Sequence, residues 1–217
     1  MADQHLTADD KARIVELYEG RLAAYGYDVR TVGWGSRADQ SLRFEVLSRE
    51  IDFSNKRILD VGCGFGDFVA FLEARGVSGY SYVGVDISPK LIEEADKHFG
   101  SADRVFKVLD LLDGPEIGMF DVAVCSGALS FKVEDNLGLA HEMLARMFAV
   151  SREAVCVNFL SSRVDFMLEK NFHFEPGSTL GYALSLSRWV RIYHDYPLHE
   201  FTVQILRKPL SKGCIEV

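Results

Sequence analysis

A membrane-spanning helix needs roughly 20 consecutive apolar residues, and no stretch of this chain approaches that length. The opening segment, MADQHLTADDKAR, also lacks the basic-then-apolar order of a secretory signal. Both absences make a cytoplasmic protein the expectation. Positive charge is short as well: 24 Lys and Arg stand against 32 Asp and Glu, for a net charge of −8. Nucleic acid is held by clustered Lys and Arg that neutralise phosphates, so this balance argues against such a partner. Cysteine is sparse, and Cys63, Cys125, Cys156 and Cys214 form no CxxC pair, which suggests neither a zinc site nor a disulfide framework. Three of the four fall in apolar runs and read as small buried hydrophobes. Repeats, low-complexity tracts and linkers are absent too.

What remains is enough apolar material for one core. Of 217 residues 48% are hydrophobic and 26% charged, so a single globular domain over 1–217 is expected. Ile14, Leu17, Tyr18, Leu22 and Tyr25 recur at helical spacing behind Thr7, a suitable N-cap. After the glycine-broken TVGWGSRADQ, a second helical pattern runs through Leu42, Phe44, Val46 and Leu47. Residues 1–54 thus read as a helical cap on a core of residues 55–217.

From Arg57 onward, short apolar runs alternate with amphipathic stretches. The runs are RILDVG, SYVGVDI, RVFKVLDL, FDVAVCSG and AVCVNFL, and the pattern predicts βαβ units, strand then helix recurring through four crossovers, on a parallel sheet. Ser88 and Pro89 mark one helix start. YALSLS ends a further helix. The two strand-like runs in WVRIYHDYPLHEFTVQILRK are joined by too few residues for a crossover, so the last two strands are expected to be antiparallel.

Strand, glycine turn and helix meet in RILDVGCGFGDF, residues 57 to 68, where backbone comes close enough to hold a ligand. A glycine turn also serves simply to reverse the chain. Charge separates the possible ligands. A dinucleotide site wants a small third residue at position 67 so that pyrophosphate can lie on the helix N-terminus, and this chain has Asp67 there and Asp60 before the turn. Two carboxylates repel a phosphate group and attract a cation. Asp86, twenty residues past the last glycine, ends the second strand where an acid can accept both hydroxyls of a ribose. Asp110 and Leu111 end the third strand at the same sheet edge.

In this order, from about Arg57 to about Leu160, the residues resemble the class I S-adenosylmethionine-dependent methyltransferases. The resemblance implies an α/β fold, a doubly wound, seven-stranded, mostly parallel sheet of Rossmann-like type with a last antiparallel strand and a small helical cap. It implies S-adenosyl-L-methionine as cofactor. Asp60 and the turn Gly62, Cys63, Gly64 and Gly66 would lie against its methionine part, Asp86 and Ile87 by the ribose, Asp110 and Leu111 by the adenine, and Ser126, Gly127 and Ala128 by the reacting methyl. A cationic sulfonium tolerates Asp60 and Asp67 where pyrophosphate would not.

The methyl acceptor is less constrained. The fourth strand does not run into a Pro-Pro-aromatic sequence, no Pro-Cys nucleophile pair occurs, and the histidines are scattered, so no metal is expected. Ligands lie at the carboxyl ends of parallel strands, which places the turn DYPLH on the site's rim and nominates His194, Tyr196 and His199. A cap insertion around 161–178, in NFLSSRVDFMLEKNFHFEP, brings Asn158, Arg163 and His173, and the N-terminal helix brings Tyr18 and Tyr25. Trp34 and Arg43 belong to the same cover, Arg43 facing the cofactor carboxylate or an acidic substrate, or standing only as a surface charge. The catalytic candidates are His194, Tyr196, Tyr18 and Arg163. A compact acidic domain points to a small-molecule metabolite with an O or N acceptor and no membrane or nucleic-acid partner. An RNA or protein methyltransferase and a non-catalytic cofactor-binding module are the alternatives.

Overall fold

The computed structural model describes residues 6–114 and 116–209. Cys214 and the first five residues of the opening segment lie outside these. Seven strands form one sheet: β1 (Arg57–Val61), β2 (Ser81–Asp86), β3 (Arg104–Val108), β4 (Phe120–Ser126), β5 (Ser151–Leu160), β6 (Trp189–Tyr193) and β7 (Glu200–Leu206), in spatial order β3-β2-β1-β4-β5-β7-β6. Neighbours from β3 through β5 pair in parallel, and β7 runs antiparallel to both β5 and β6. The winding reverses between β1 and β4, the place where open α/β sheets hold ligands.

Alternation along the strands feeds two core layers. Leu59, Val61, Ala123, Cys125, Val155 and Val157 face the layer of α5 (Asn136–Ala149) and α6 (Pro176–Leu186). Ile58, Val122, Val124 and Cys156 face the layer of α3 (Asp67–Ala74) and α4 (Pro89–Phe99). With both faces covered, the strands are near-continuously apolar, as their sequences show. Cys63, Cys125 and Cys156 are buried free thiols within these layers.

Two expectations need correction. Among the described residues no helix lies between β3 and β4: residues 109–114 and 116–119 include none. Gly114, Pro115 and Gly118 within five residues explain this, and Asp110 Oδ1 accepts the Leu112 N–H at 2.9 Å to begin a turn instead. Second, α2 (Arg37–Leu47) packs as part of the core: Phe44 and Leu47 are buried with Phe68, Phe71 and Leu72. Gln204 of β7 donates to the carbonyls of Leu47 and Arg49 at 3.1 and 2.9 Å. α2 thus serves the core while its Asp39, Gln40 and Arg43 still face the site beside α1 (Ala8–Tyr25) and the loop after it, and these together form the cover. Thr7 caps α1 in a reciprocal box with Asp10, the hydroxyl accepting the Asp10 N–H at 3.1 Å.

Candidate active site

The first turn of the site folds around backbone constraints. The N–H groups of Gly62 and Cys63 donate to the Val85 carbonyl at 2.8 and 3.1 Å, pinning the loop to β2. Gly62 has φ +70°, and a Cβ there would lie 2.3 Å from the Ala128 Cβ, so the turns after β1 and β4 touch where only hydrogen fits. Asp86 holds the loop from the other side. Its carboxylate accepts the N–H of Gly64 at 3.0 Å and of Ser88 at 2.9 Å. Burial raises its pKa, and those N–H groups oppose the rise.

These turns bound a cleft lined by Asp60, Gly62, Cys63, Asp86, Ser126, Gly127 and Ala128, with Tyr18, Val32, Trp34, Gln40, Phe44, Asp67, Phe68 and Leu91 completing the wall. Three aspartates and no lysine or arginine line it. Burial pushes Asp60 up to about 7, its hydrogen bond from the Tyr82 hydroxyl at 2.5 Å opposes the shift, and the charges of Asp86 and Asp67 add to it. A cation entering the cleft would relieve that repulsion. The buried Ser126 hydroxyl has no partner. Acidic walls and an unpaired hydroxyl fit a cationic, polar ligand such as the sulfonium cofactor. The cleft holds about 70 Å³, well below the roughly 300–1,000 Å³ of small-molecule sites, because α1 and its loop lie across it. Lys11 of α1 pairs with Asp110 at 2.7 Å, and Lys90 pairs with Glu19 at 2.8 Å.

A second cavity of about 290 Å³ adjoins the first, and both are lined by Trp34 and Gly127. Its walls come from the ends of β4 and β5, the segment 166–173, the turn before β7, and Trp34 to Arg43 of the cover. Backbone bonds join these pieces. Phe172 N–H donates to Ser130 at 3.0 Å, Phe174 N–H to Leu160 at 2.7 Å, and Ser161 N–H to His199 at 3.0 Å. On the cover side, Arg43 makes a two-pronged ion pair with Glu200 at the start of β7, both side chains buried. The guanidinium lies 3.4 Å over the Trp34 ring.

Residues 58–154 match the family model described as a methyltransferase domain. The chain is also 30% identical over 156 residues to "Putative methyltransferase Rv1506c" of Mycobacterium tuberculosis, covering 68% of this chain and 91% of the relative. The chain belongs to the class I S-adenosylmethionine-dependent methyltransferases. Magnesium protoporphyrin IX methyltransferase of Synechocystis, solved with bound S-adenosylhomocysteine, shares the fold at 14% identity and a TM-score of 0.65, over 92% of this chain and 100% of that one. A mitochondrial ubiquinone biosynthesis O-methyltransferase of Schizosaccharomyces pombe is 38% identical over 91 residues, 39% of this chain and 32% of that protein. The cofactor of this methyltransferase is S-adenosylmethionine.

Of the residues expected around the cofactor, the methyltransferase brings Asp60, Gly62, Cys63, Asp86, Ser126 and Gly127 together in the cleft. The other expected cofactor residues lie outside its lining. Gly64 faces Asp86, Gly66 opens α3, and Ile87 follows half-buried. Leu111 packs in the core, while Asp110 engages Lys11. Arg43 lines the second cavity and pairs there with Glu200. Asp67 is held by donors from the cover, Tyr27 at 2.7 Å and Gln40 at 2.9 Å.

The four catalytic candidates fare differently. Tyr18 lines the cofactor cleft; none of the four lines the second cavity. His194 is exposed with its ring against Phe201, the buried Tyr196 shares a hydrogen bond with Thr202 at 3.1 Å, and Arg163 pairs with Glu175 at the surface. His199 of the same turn does line the cavity, together with Asn158 and His173. Gln40, Val32 and Leu91 gave no sequence signal, since each is an ordinary residue of a helix or loop until the fold sets it beside the cleft.

Proposed function

We propose that this enzyme methylates a small organic molecule seated in the second cavity. The observation that carries the reading is the shared wall: Trp34 and Gly127 bound both cavities, so a molecule in the larger one lies beside the donor cleft. When bound, the cofactor supplies an electrophilic methyl group on a positively charged sulfur. Asp60 and Asp67 balance that charge, Asp86 is placed for the ribose hydroxyls, and Ser126 offers its hydroxyl to the amino acid part. Closure by α1 excludes water from the reacting atoms. About 290 Å³ suits a compact acceptor, and a net charge of −8 gives little support to an RNA substrate. Buried free thiols accord with a reducing, cytoplasmic setting.

The test is transfer of labelled methyl from S-adenosylmethionine into fractions of a cell extract. Label is expected in the small-molecule fraction. Label in protein or RNA instead would sink the acceptor reading, and label in no fraction despite S-adenosylhomocysteine binding would favour a cofactor-binding module.

A further inference from the structure

Among the described residues, three buried polar atoms on side chains lining the second cavity have no partner: Nη1 of Arg43, whose other nitrogens pair with Glu200, and one atom each of His173 and Asn158, which together describe the group that would complete them. Of these last two, the first belongs to His173. Its Nδ1 lies 2.8 Å from the Ser161 carbonyl oxygen. A carbonyl has no proton to give, so Nδ1 carries the hydrogen, and the neutral ring presents a lone pair at Nε2. That Nε2 is buried and meets no donor. The second belongs to Asn158, which is 2% exposed. Its Oδ1 accepts the Gly127 N–H at 3.0 Å, which leaves the Nδ2 donors buried and unpaired. Both residues line the cavity.

The imidazole is held firmly. Residue 174 bridges to Ser161 beside the end of β5, Ser162 N–H donates to the Phe174 carbonyl at 2.8 Å, and the Phe174 ring packs 4.9 Å from Phe159 and 4.8 Å from Phe172. The cavity thus offers one fixed acceptor, His173 Nε2, and fixed donors in Asn158 Nδ2 and Arg43 Nη1. A hydroxyl group matches both kinds, because it donates one hydrogen and accepts others. A protonated amine has no lone pair for Asn158, and a carboxylate has no proton for His173. Trp34, Phe159, Leu160 and Leu198 supply apolar walls for the rest of the molecule.

We infer that His173 is the general base of the reaction and that the acceptor is a hydroxyl group on a small, largely apolar molecule; this rests on the small-molecule reading above. The hydroxyl proton passes to His173 Nε2 as the oxygen bonds to the methyl carbon. The carbon–sulfur bond breaks with its electron pair left on sulfur. The products are a methyl ether, S-adenosylhomocysteine and an imidazolium that returns its proton to solvent. Asn158 positions the oxygen. The other ionisable groups lining the cavity are Asp39, His199 and the mutually neutralising Arg43 and Glu200.

The experiment uses the full chain, labelled S-adenosylmethionine, and a panel of phenols of graded acidity with matched benzylamines and benzoates. Methyl transfer is expected to phenols. His173→Asn retains an amide donor toward Ser161, and it should lower kcat on the least acidic phenol about 10²–10⁴-fold with KM and S-adenosylhomocysteine affinity unchanged. The deficit should shrink for acidic phenols, and as the pH approaches the ionisation of an ordinary phenol near 10, because a phenolate needs no base. An equal deficit across all phenols and pH values, full activity of the variant, or transfer to amines or benzoates with phenols inert would overturn the inference. If no panel compound is methylated, nitrogen NMR of the S-adenosylhomocysteine complex decides: a proton on Nδ1 of His173 upholds the base, and one on Nε2 alone refutes it. Loss of S-adenosylhomocysteine binding in calorimetry would instead mark a failure of the cofactor reading.

Discussion

The two cavities on either side of Trp34 are built by different means. The aspartate-lined cleft rests on backbone: glycine turns at two adjoining strand ends, pinned to β2 and to the Asp86 carboxylate. The second cavity rests on side chains gathered from the cover, two strand ends, the 166–173 segment and the turn before β7. Backbone sites demand particular residue types at fixed spacing, and so they leave a mark in the sequence. A cavity assembled from distant side chains leaves none, and its chemistry is free to vary on the same frame.

The strongest way to break the acceptor side is to remove one member of its buried ion pair. Glu200→Ala strands the Arg43 charge and should cost about 3–5 kcal/mol of stability in urea unfolding, with S-adenosylhomocysteine affinity of the folded protein retained. A paired Arg43→Met, Glu200→Leu replacement should recover most of it, and a fully stable single variant would show that the pair is not needed. The matching attack on the donor side is Asp86→Ala. Each charged hydrogen bond lost costs about 1.5–3 kcal/mol, and because Asp86 also binds the Gly64 and Ser88 amides, both cofactor affinity and melting temperature should fall. Asp86→Asn keeps an acceptor and should fall less. Normal cofactor binding by the alanine variant would remove Asp86 from the ribose.

Asp60 sharpens the contrast through pH. A carboxyl raised by burial from 3.8 to about 7 favours the folded state while protonated, fully so below 3.8, and that contribution is lost as pH climbs through about 7. Asp60→Asn should therefore lose less stability than the wild type between pH 5 and 8, read as melting temperature in each buffer. Parallel curves would refute the shift. The smallest effect is expected at the rim of the cover: Thr7→Ala removes the α1 capping box and costs about 1 kcal/mol, which should speed cofactor entry in stopped-flow binding while turnover stays near normal. Unchanged entry would separate α1 from access to the cleft.

Much of the frame was legible because physics leaves few options. Apolar runs covered on both faces had to be parallel strands, and the DYPLH link could only join antiparallel ones. The aspartate-lined cleft was legible in Asp60, Gly62 and Asp86, whose types the turn dictates. The missing β3–β4 helix was written in Gly114, Pro115 and Gly118, but the apolar run before them masked it. His173 could not be told from any other histidine, since its role depends on the Ser161 carbonyl that orients it. The ion pair of Arg43 was hidden for the same reason: its partner Glu200 lies 157 positions away.

Trp34 stands in the wall that both cavities share, and the chain has only one other tryptophan, Trp189 on β6. Its indole touches Gly127 so closely that a Cβ there would come within 2.3 Å of the ring, and its opposite partner is the Arg43 guanidinium. The molecule thus carries its own optical probe at the junction of its two ligands. In a Trp189→Phe background, emission from a single fluorophore would report donor and acceptor occupancy as separate changes in intensity and wavelength, and so give the order in which they arrive without any added label.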